Sequence, residues 1–305
     1  MAPSEPNTPQ PPAASAPTGL ELGRTSNHDC TLRAITNEGG FRAITIRMTD
    51  TVREIVKRQH AQGEAARALG ELLLLTVLFR ETMSPNLRVQ GIVKSKSGGT
   101  LVADSAPEGK TRGLLQADSD SFHLRDGGLI QMMRTMPNGS VNQGVVRIEP
   151  GDSLSQGAMA YMKQSEQVDS MVAVKVTLND QGEVLEAGGF LVQLLPEIGK
   201  GPLAVMAQRL EEFESLEQFL TPQFSPLTIL EELLYGMEYT QTDESPVEFH
   251  CWCSESRMLA AIATIDKKEI QDMVDAGKAI EIDCDYCGKE YALQPSTLQG
   301  LLAPS

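Results

Sequence analysis

The sequence is poor in cysteine, aromatic residues and positive charge, and each shortage excludes a class of protein. Five cysteines among 305 residues are too few for a small disulfide-built scaffold. There are 26 basic residues against 41 acidic ones, a formal charge of −15. Nucleic acid is therefore not expected as a partner, because such binding depends on basic side chains that neutralise phosphates. The apolar run at residues 72–79 is far shorter than the roughly 20 residues that cross a bilayer, so we expect no membrane partner.

The first residues of the chain predict neither a targeting signal nor a folded element. They lack the basic and apolar regions of a signal peptide, which favours a cytoplasmic location. Six prolines fall within residues 1–19 among Ala, Ser, Thr and Gln, a composition that buries little apolar surface. We therefore expect residues 1–29 to form a disordered leader.

Residues 30–198 predict a mixed core domain of strands and helices. Two β-rich runs, 31–36 and 41–48, flank a glycine-containing turn and predict a hairpin. Thr51 and Glu54 fit a capping box at a helix start, and a largely apolar helix is expected over about 64–82. The following stretch to residue 195 is strand-like, interrupted by a helical piece near 158–164. Because the elements do not alternate as βαβ units, the fold class is α+β.

Residues 199–248 predict an acidic helical linker. Residues 197–248 hold 11 acidic and two basic residues, which is most of the net charge. A second helix is expected after Ser225, with Pro226 in its first turn and Gly236 beyond its end. The apolar positions of the two helices are Leu203, Met206, Leu210, Phe213, Leu227, Leu230, Leu233 and Leu234. Two interpretations remain open here, helices packed permanently on the core and a linker whose apolar stripe can be uncovered.

Four of the five cysteines lie in the last 57 residues, in a pattern typical of a metal site. Cys251 and Cys253 form a CxC pair, and Cys284 and Cys287 form a CxxC pair followed by Gly288. Two close thiolate pairs complete the tetrahedral shell of one Zn²⁺ ion, and four sulfur ligands indicate a structural site. Buried thiols, a redox CxxC pair and His250 as a substitute ligand are weaker alternatives.

Residues 249–305 predict a small domain whose folding depends on that metal. A helix is expected after Asp266 and a strand over 279–283. Domains of this size have marginal cores, and a structural zinc ion contributes about 10–16 kcal/mol of apparent folding free energy in such units. A disulfide across a CxC pair is expected to be comparatively labile.

These motifs together resemble the redox-regulated holdase chaperones of the 33-kilodalton heat-shock protein family, also called 33 kDa chaperonins. The resemblance rests on residues 251–254 (CWCS) and 284–288 (CDYCG), and on 161–167 (YMKQSEQ) and 188–196 (GGFLVQLLP) upstream. It covers about residues 30–295. The leader and the histidine beside the first cysteine pair depart from the family pattern.

The resemblance implies a non-enzymatic chaperone controlled by oxidation. The reduced form would hold one zinc ion on the four cysteines and be inactive. Oxidation would join Cys251 to Cys253 and Cys284 to Cys287, release zinc, unfold the small domain and linker, and expose apolar surface to unfolding client proteins. The resemblance also implies a homodimer when oxidised and transfer of clients to ATP-dependent foldases.

Two other function classes remain open from the sequence. A constitutive zinc-module binding protein would keep its metal and its binding independent of redox state. A thiol oxidoreductase would show turnover, although no convincing enzyme active site is present. Client identity, the oxidant threshold and the role of Cys30 are not specified by the sequence.

Overall fold

A computed structural model describes residues 28–38, 40–117, 121–136, 138–195, 206, 216–222 and 224–302. Most of the predicted leader lies outside these residues. The strands are β1 (Cys30–Thr36), β2 (Phe41–Arg47), β3 (Arg88–Ser95), β4 (Thr100–Ser105), β5 (Lys110–Gln116), β6 (Gly128–Thr135), β7 (Val141–Ile148), β8 (Ser170–Leu178), β9 (Val184–Leu194), β10 (Tyr239–Pro246), β11 (Glu248–Phe249), β12 (Ile280–Asp283) and β13 (Glu290–Leu293). The helices are α1 (Thr49–Arg58), α2 (Gly63–Glu81), α3 (Leu154–Tyr161), α4 (Pro226–Leu233), α5 (Glu255–Ile262), α6 (Lys267–Asp275) and α7 (Pro295–Leu302).

The strands form three sheets. The first has the order β10-β1-β2-β9-β8 and is antiparallel throughout, and the second has the order β11-β5-β4-β3-β6-β7. Strand β11 runs parallel to β5, and β12 and β13 form a separate hairpin. The predicted hairpin of β1 and β2 is confirmed, and the mixed content confirms the α+β class.

Helix α2 is the centre of the core. It packs against β2, β8 and β9 of the first sheet and against β3, β4 and β5 of the second. A helix with neighbours on both sides has little need of a polar face, which explains its apolar sequence. The prediction of a buried helix over about 64–82 is confirmed within two residues. In the described part of the chain, no helix combines the length and apolar character needed to span a membrane.

The start of helix α1 differs from the sequence prediction. The helix begins at Thr49, and its N-cap residue Met48 makes no side-chain cap hydrogen bond, so the predicted capping box is wrong. Instead, the backbone N–H of Thr51 donates to the Asp29 carboxylate at 2.6 Å, and the same carboxylate pairs with Arg47 at 2.8 Å. A residue that precedes β1 therefore accepts the free N–H of the first turn of α1. The spacing of residues around the helix start does not reveal this distant partner.

The predicted helical linker contains both a helix and a strand. Helix α4 follows Ser225, whose hydroxyl accepts from the Leu227 N–H at 3.2 Å, as expected. Residues 239–246, however, form β10 on the edge of the first sheet, so the prediction of helix to residue 248 is wrong. Most side chains of β10 are exposed, and a polar edge strand lacks the apolar alternation that identifies strands in a sequence.

A second apolar cluster lies between α4 and the first sheet, on the face opposite α2. Met206, Leu230, Leu233 and Leu234 of the predicted client-binding set are buried in it, and Leu227 packs at its margin. Their sheet partners are Leu32, Ala34, Phe41, Ala43, Phe190 and Val192. The remaining predicted positions, Leu203, Leu210 and Phe213, lie outside the described residues. In the described part of the predicted linker, the apolar stripe is therefore covered.

The C-terminal residues form a small unit with few buried side chains. The predicted helix appears as α6, whose first turn is capped by Asp266 at 2.8 Å, and the predicted strand appears as β12. Helices α5 and α7 and strand β13 were not predicted. The fully buried apolar side chains of its described cluster are Ile262, Ile270, Leu293 and Leu298. So small a core is marginal on its own.

Glu71 on α2 generates a test of the core packing. Burial raises the pKa of its carboxyl, and this effect outweighs the lowering by nearby Lys175 and Arg67, so that the pKa is about 7. The folded chain therefore keeps this proton up to about pH 7, whereas the unfolded chain releases it near pH 4.5. Stability consequently falls as pH rises between these values, by about 2 kcal/mol for this half-buried group.

Glu71→Gln cannot ionise and should remove this contribution. Urea unfolding between about pH 5.5 and 7.5 measures the free energy of unfolding of both chains. Relative to the wild type, we expect this free energy to rise in the variant by about 2 kcal/mol over that pH range. Glu232→Gln, an exposed change on α4, is the matched control and should follow the wild type. A stability difference between Glu71→Gln and wild type that does not change with pH would contradict the assignment.

Candidate metal centre

The four clustered cysteines of the sequence meet at one point in the structure. The sulfur atoms of Cys251, Cys253, Cys284 and Cys287 all lie within 4.8 Å of one another. The Sγ atoms of Cys251 and Cys284 are 3.7 Å apart, and those of Cys253 and Cys287 are 3.5 Å apart. All four are free thiols, since a disulfide requires about 2.05 Å between sulfurs.

This spacing fits a tetrahedral zinc ion. With Zn–S bonds of about 2.3 Å, the ligand sulfurs of a tetrahedron lie about 3.8 Å apart, close to the two measured separations. The donor set contains only thiols, which are the soft ligands that zinc prefers in closed structural sites. The four cysteines can therefore hold one zinc ion with no open position.

Two different local structures bring the cysteine pairs together. The first pair follows β11 directly, and the β11–β5 ladder continues past that strand as the His250 N–H donates to the Thr111 carbonyl at 2.9 Å. The second pair lies on the turn between β12 and β13, where Gly288 adopts φ +70° and donates to the Cys284 carbonyl at 2.7 Å. The glycine after the second pair thus serves the turn predicted for it.

The thiols are not equivalent when they carry protons. Burial raises the pKa of Cys284 and raises that of Cys287 to about 12. Burial also acts to raise the pKa of Cys253. The Tyr291 hydroxyl, however, donates to the Cys253 sulfur at 3.1 Å, and this hydrogen bond, together with those from the neighbouring thiols, lowers the pKa to about 7. Cys253 therefore ionises before Cys284 and Cys287, and metal binding would remove the protons of these two thiols.

A cationic pair on the second sheet contacts the cysteine centre. Arg112 on β5 lies opposite Asp104 on β4, and the two form an ion pair at 3.2 Å, while Arg88 on β3 also binds this fully buried carboxylate. The Arg112 guanidinium lies 3.7 Å from the Cys251 sulfur. A guanidinium beside sulfur ligands offsets the negative charge that four thiolates carry.

Aromatic rings from both cysteine-bearing turns, the first knuckle (residues 251–253) and the second knuckle (residues 284–287), enclose that guanidinium. Its central carbon lies 4.0 Å from the ring centre of Trp252 and 3.8 Å from that of Tyr286. Trp252 sits inside the CxC pair and Tyr286 inside the CxxC pair, so one arginine of the core contacts both knuckles. Such cation–π contacts each contribute about 0.5–2 kcal/mol.

Helix α1 holds the second knuckle through backbone atoms. Arg58 donates to the Cys287 carbonyl at 3.0 Å, and its guanidinium also lies 4.6 Å from the Phe249 ring centre. The Gln59 amide donates to the carbonyls of Asp285 and Tyr286 at 2.8 and 3.2 Å, and its oxygen accepts from the Leu115 N–H at 2.9 Å. The two cysteine-bearing turns, residues 251–253 and 284–287, thus dock on the core through both α1 and β5.

The structure separates the predicted site residues into distinct groups. It brings the four cysteines together and leaves His250 out of the cluster, with its ring stacked near Trp252 at 6.4 Å between centres. Cys30 is buried on β1, away from the four. The proposed disulfide pairs remain predictions, because the thiols are free.

Several contacting residues were missed by sequence reasoning. Arg112 lies 139 positions before the cysteine that it contacts, and Arg58 lies 229 positions before its contact. Gln59 lies 226 and 227 positions before the two residues that it contacts. No local motif therefore links these residues to the cysteines. Tyr291 was also missed, although its position four residues after Cys287 on a strand next to the knuckle is a usable signal.

Comparisons with known proteins agree with this arrangement. The Hsp33 protein family model matches residues 29–294. The 33 kDa chaperonin of Bacillus subtilis is 31% identical over 288 residues, covering 90% of this chain and 98% of that protein, and the one of Bacillus velezensis is 30% identical over the same shares.

A solved structure shows the same fold. The crystal structure of the 33 kDa chaperonin (heat shock protein 33 homologue) from Thermotoga maritima matches with a TM-score of 0.77 at 22% sequence identity, covering 90% of this chain and 98% of that one. The family match spans most of the chain, including the core and all four clustered cysteines. The chain therefore belongs to the Hsp33 protein family, and this membership supports a chaperone.

Proposed function

We propose that the protein is a redox-regulated holdase chaperone of the cytoplasm, without enzymatic turnover. The observation that carries the proposal is the continuity between the cysteine centre and the linker. Strand β10 ends at Pro246, β11 spans Glu248–Phe249, and the first ligand is Cys251. What happens at the sulfurs therefore acts directly on a strand that belongs to the core.

In the reduced state, the four cysteines would hold a zinc ion and thereby keep β10, the linker strand, in place. The four thiolates would bind one zinc ion and close both knuckles around it. The knuckles dock on Arg112, Arg58 and Gln59, and the chain leading into them pairs with both sheets through β10 and β11. The apolar cluster under α4 stays covered and the protein is inactive.

Oxidation would remove the ligands. A peroxide or hypochlorous acid takes two electrons from each cysteine pair, so that Cys251 bonds to Cys253 and Cys284 bonds to Cys287. The oxidant is reduced to water, or to water and chloride, and the zinc ion leaves because disulfide sulfurs are poor ligands. Cys253 supports this chemistry because its lowered pKa favours the nucleophilic thiolate in any metal-free chain.

Loss of the ion would then propagate into the linker. The small C-terminal cluster is marginal without the free energy of metal binding. Once this unit unfolds, β11 and β10 lose their C-terminal anchor, and α4 can leave the sheet. Phe41, Phe190 and Val192, with the apolar stripe of α4, would become available to unfolding proteins.

The partners follow from such a surface. Unfolded or misfolded client proteins would bind the uncovered apolar residues, among them Met206, Leu227, Leu230, Leu233 and Leu234. A homodimer in the oxidised state and transfer to ATP-dependent foldases belong to the same proposal. The acidic residues 197–248, with 11 acidic against two basic side chains, would keep the opened linker soluble.

Oxidation of the purified chain tests the switch. Treatment with peroxide at mild heat should release zinc to a chromogenic chelator and should suppress light scattering from a thermally aggregating client. The reduced chain should do neither. If the oxidised chain retains zinc, or if the reduced chain protects the client equally well, the protein is a constitutive zinc-module binding protein and the switch is wrong.

Removing one ligand should uncouple activity from redox state. Cys284→Ser leaves three thiolates, so zinc affinity should fall at least about tenfold, and client protection should become the same before and after oxidation. Asp283→Asn, an exposed change beside that ligand, is the matched control and should switch as the wild type does. A Cys284→Ser chain that still needs oxidation for activity would contradict the role of the metal centre.

Weakening the docking contact should speed the release of zinc. Arg58→Ala removes the bond to the Cys287 carbonyl and the contact with Phe249, which we estimate at about 1 kcal/mol, or about fivefold in the docking equilibrium. Trp252 is the only tryptophan, so its fluorescence reports undocking. Lys57→Ala, the adjacent exposed position, is the control. Equal rates of zinc release in both variants would exclude docking as a stabiliser of the reduced state.

A further inference from the structure

A second group of side chains that can ligate a metal lies where the C-terminal end of β10 meets the start of β1. One ligand atom from each of His28, Cys30 and Glu244 falls within 4.8 Å of the other two. His28 is exposed, Cys30 is buried at the start of β1, and Glu244 is half-buried on β10. None of these residues belongs to the centre formed by the four clustered cysteines.

Strand pairing explains why the three side chains converge. In the antiparallel pairing of β1 with β10, Cys30 lies opposite Pro246 and Leu32 lies opposite Glu244. Cys30 and Glu244 are therefore diagonal neighbours on one face of the sheet, a relation that leaves their side chains within reach. His28 precedes Cys30 by two residues and approaches the same face at the sheet edge.

The Glu244 carboxyl supplies an independent indication of a ligand. Its Oε2 atom is buried from solvent and has no hydrogen-bond partner among the described residues. Burying a polar oxygen without a partner is unfavourable, and more so when the oxygen is charged. A cation held between this oxygen, the Cys30 sulfur and the His28 imidazole would satisfy it.

We propose that His28, Cys30 and Glu244 form a second metal site, which takes a borderline divalent cation such as Zn²⁺. Nitrogen, sulfur and carboxylate oxygen are the three donor types that zinc accepts, whereas calcium and magnesium take oxygen donors. Three protein ligands leave a fourth tetrahedral position, which a water molecule would fill. On binding, a Zn–S bond forms as the Cys30 thiol loses its proton to solvent.

The charges around the site are compatible with a cation. Arg47 on β2 lies opposite Cys30, but its guanidinium is engaged by carboxylates, with Asp29 at 2.8 Å, Asp50 at 3.6 Å and Glu186 at 4.0 Å. Thiolate and carboxylate ligands together neutralise a divalent ion. The positive neighbour is therefore balanced by its own partners.

Such an ion would link the linker strand to the core. Cys30 belongs to β1 and Glu244 belongs to β10, so the metal would bridge the pair of strands that must separate when the linker opens. This consequence rests on the proposed function, while the binding of the metal does not. A metal at this site would make the release of β10 dependent on a second ion besides the one on the four cysteines.

Zinc stoichiometry in the full-length chain tests the proposal. The reduced chain, loaded with Zn²⁺ and passed through a desalting column, should retain about two zinc ions, and Cys284→Ser should retain about one. Glu244→Gln and His28→Ala should each weaken the second ion at least about tenfold, and their combination with Cys284→Ser should leave about none. Glu248→Gln, an exposed glutamate change four residues along, should match the wild type.

The outcomes separate this proposal from the redox switch. One zinc ion in the wild-type chain, unaffected by Glu244→Gln or His28→Ala, would overturn the second site and leave the switch intact. A second ion that is lost in both variants would support the site even if oxidation failed to activate the chain. Because His28 is exposed, its substitution leaves the core packing unchanged, and far-ultraviolet circular dichroism checks that each variant is folded.

Discussion

The structure depends on the meeting of four sulfur atoms at the end of a strand. Cys251 and Cys253 continue from β11 on the second sheet, while Cys284 and Cys287 lie on a separate hairpin turn. A metal bound to the four sulfurs would tie these two segments together directly, and the apolar core of the C-terminal unit is small. In the proposed function, the metal centre therefore determines whether this unit stays folded.

The first sheet, to which β10 belongs, carries large apolar surfaces close to the metal centre in the chain. One of its faces packs on α2, and the other is covered by α4 and by Met206, Leu220 and Phe224. The covering helix is followed directly by β10, an exposed edge strand that is followed by β11 and the first cysteine pair. Covering and anchoring segments are thus consecutive in the chain, an order that suits a switch in which losing the anchor loosens the cover.

The sequence predicts the parts that rest on local patterns. The β1–β2 hairpin, the apolar helix α2, helix α4 with its Ser225 cap, and the cysteine cluster all have short-range signals, and the structure confirms them. The start of α1 and the strand β10 were predicted wrongly, because Asp29 and β1 supply their partners from distant positions. Arg112 and Gln59 had no signal at all, since only the folded sheet brings them to the knuckles.

Hydrogen exchange of β10 tests the central claim most directly. Mass spectrometry of the reduced, zinc-bound chain should show protected amides over residues 239–246. Oxidation with loss of zinc should bring these amides close to the exchange rate of an unfolded segment, while residues 63–81 of α2 keep their protection. Equal protection of β10 in the two states would show that the metal centre does not control the linker, and would contradict the account.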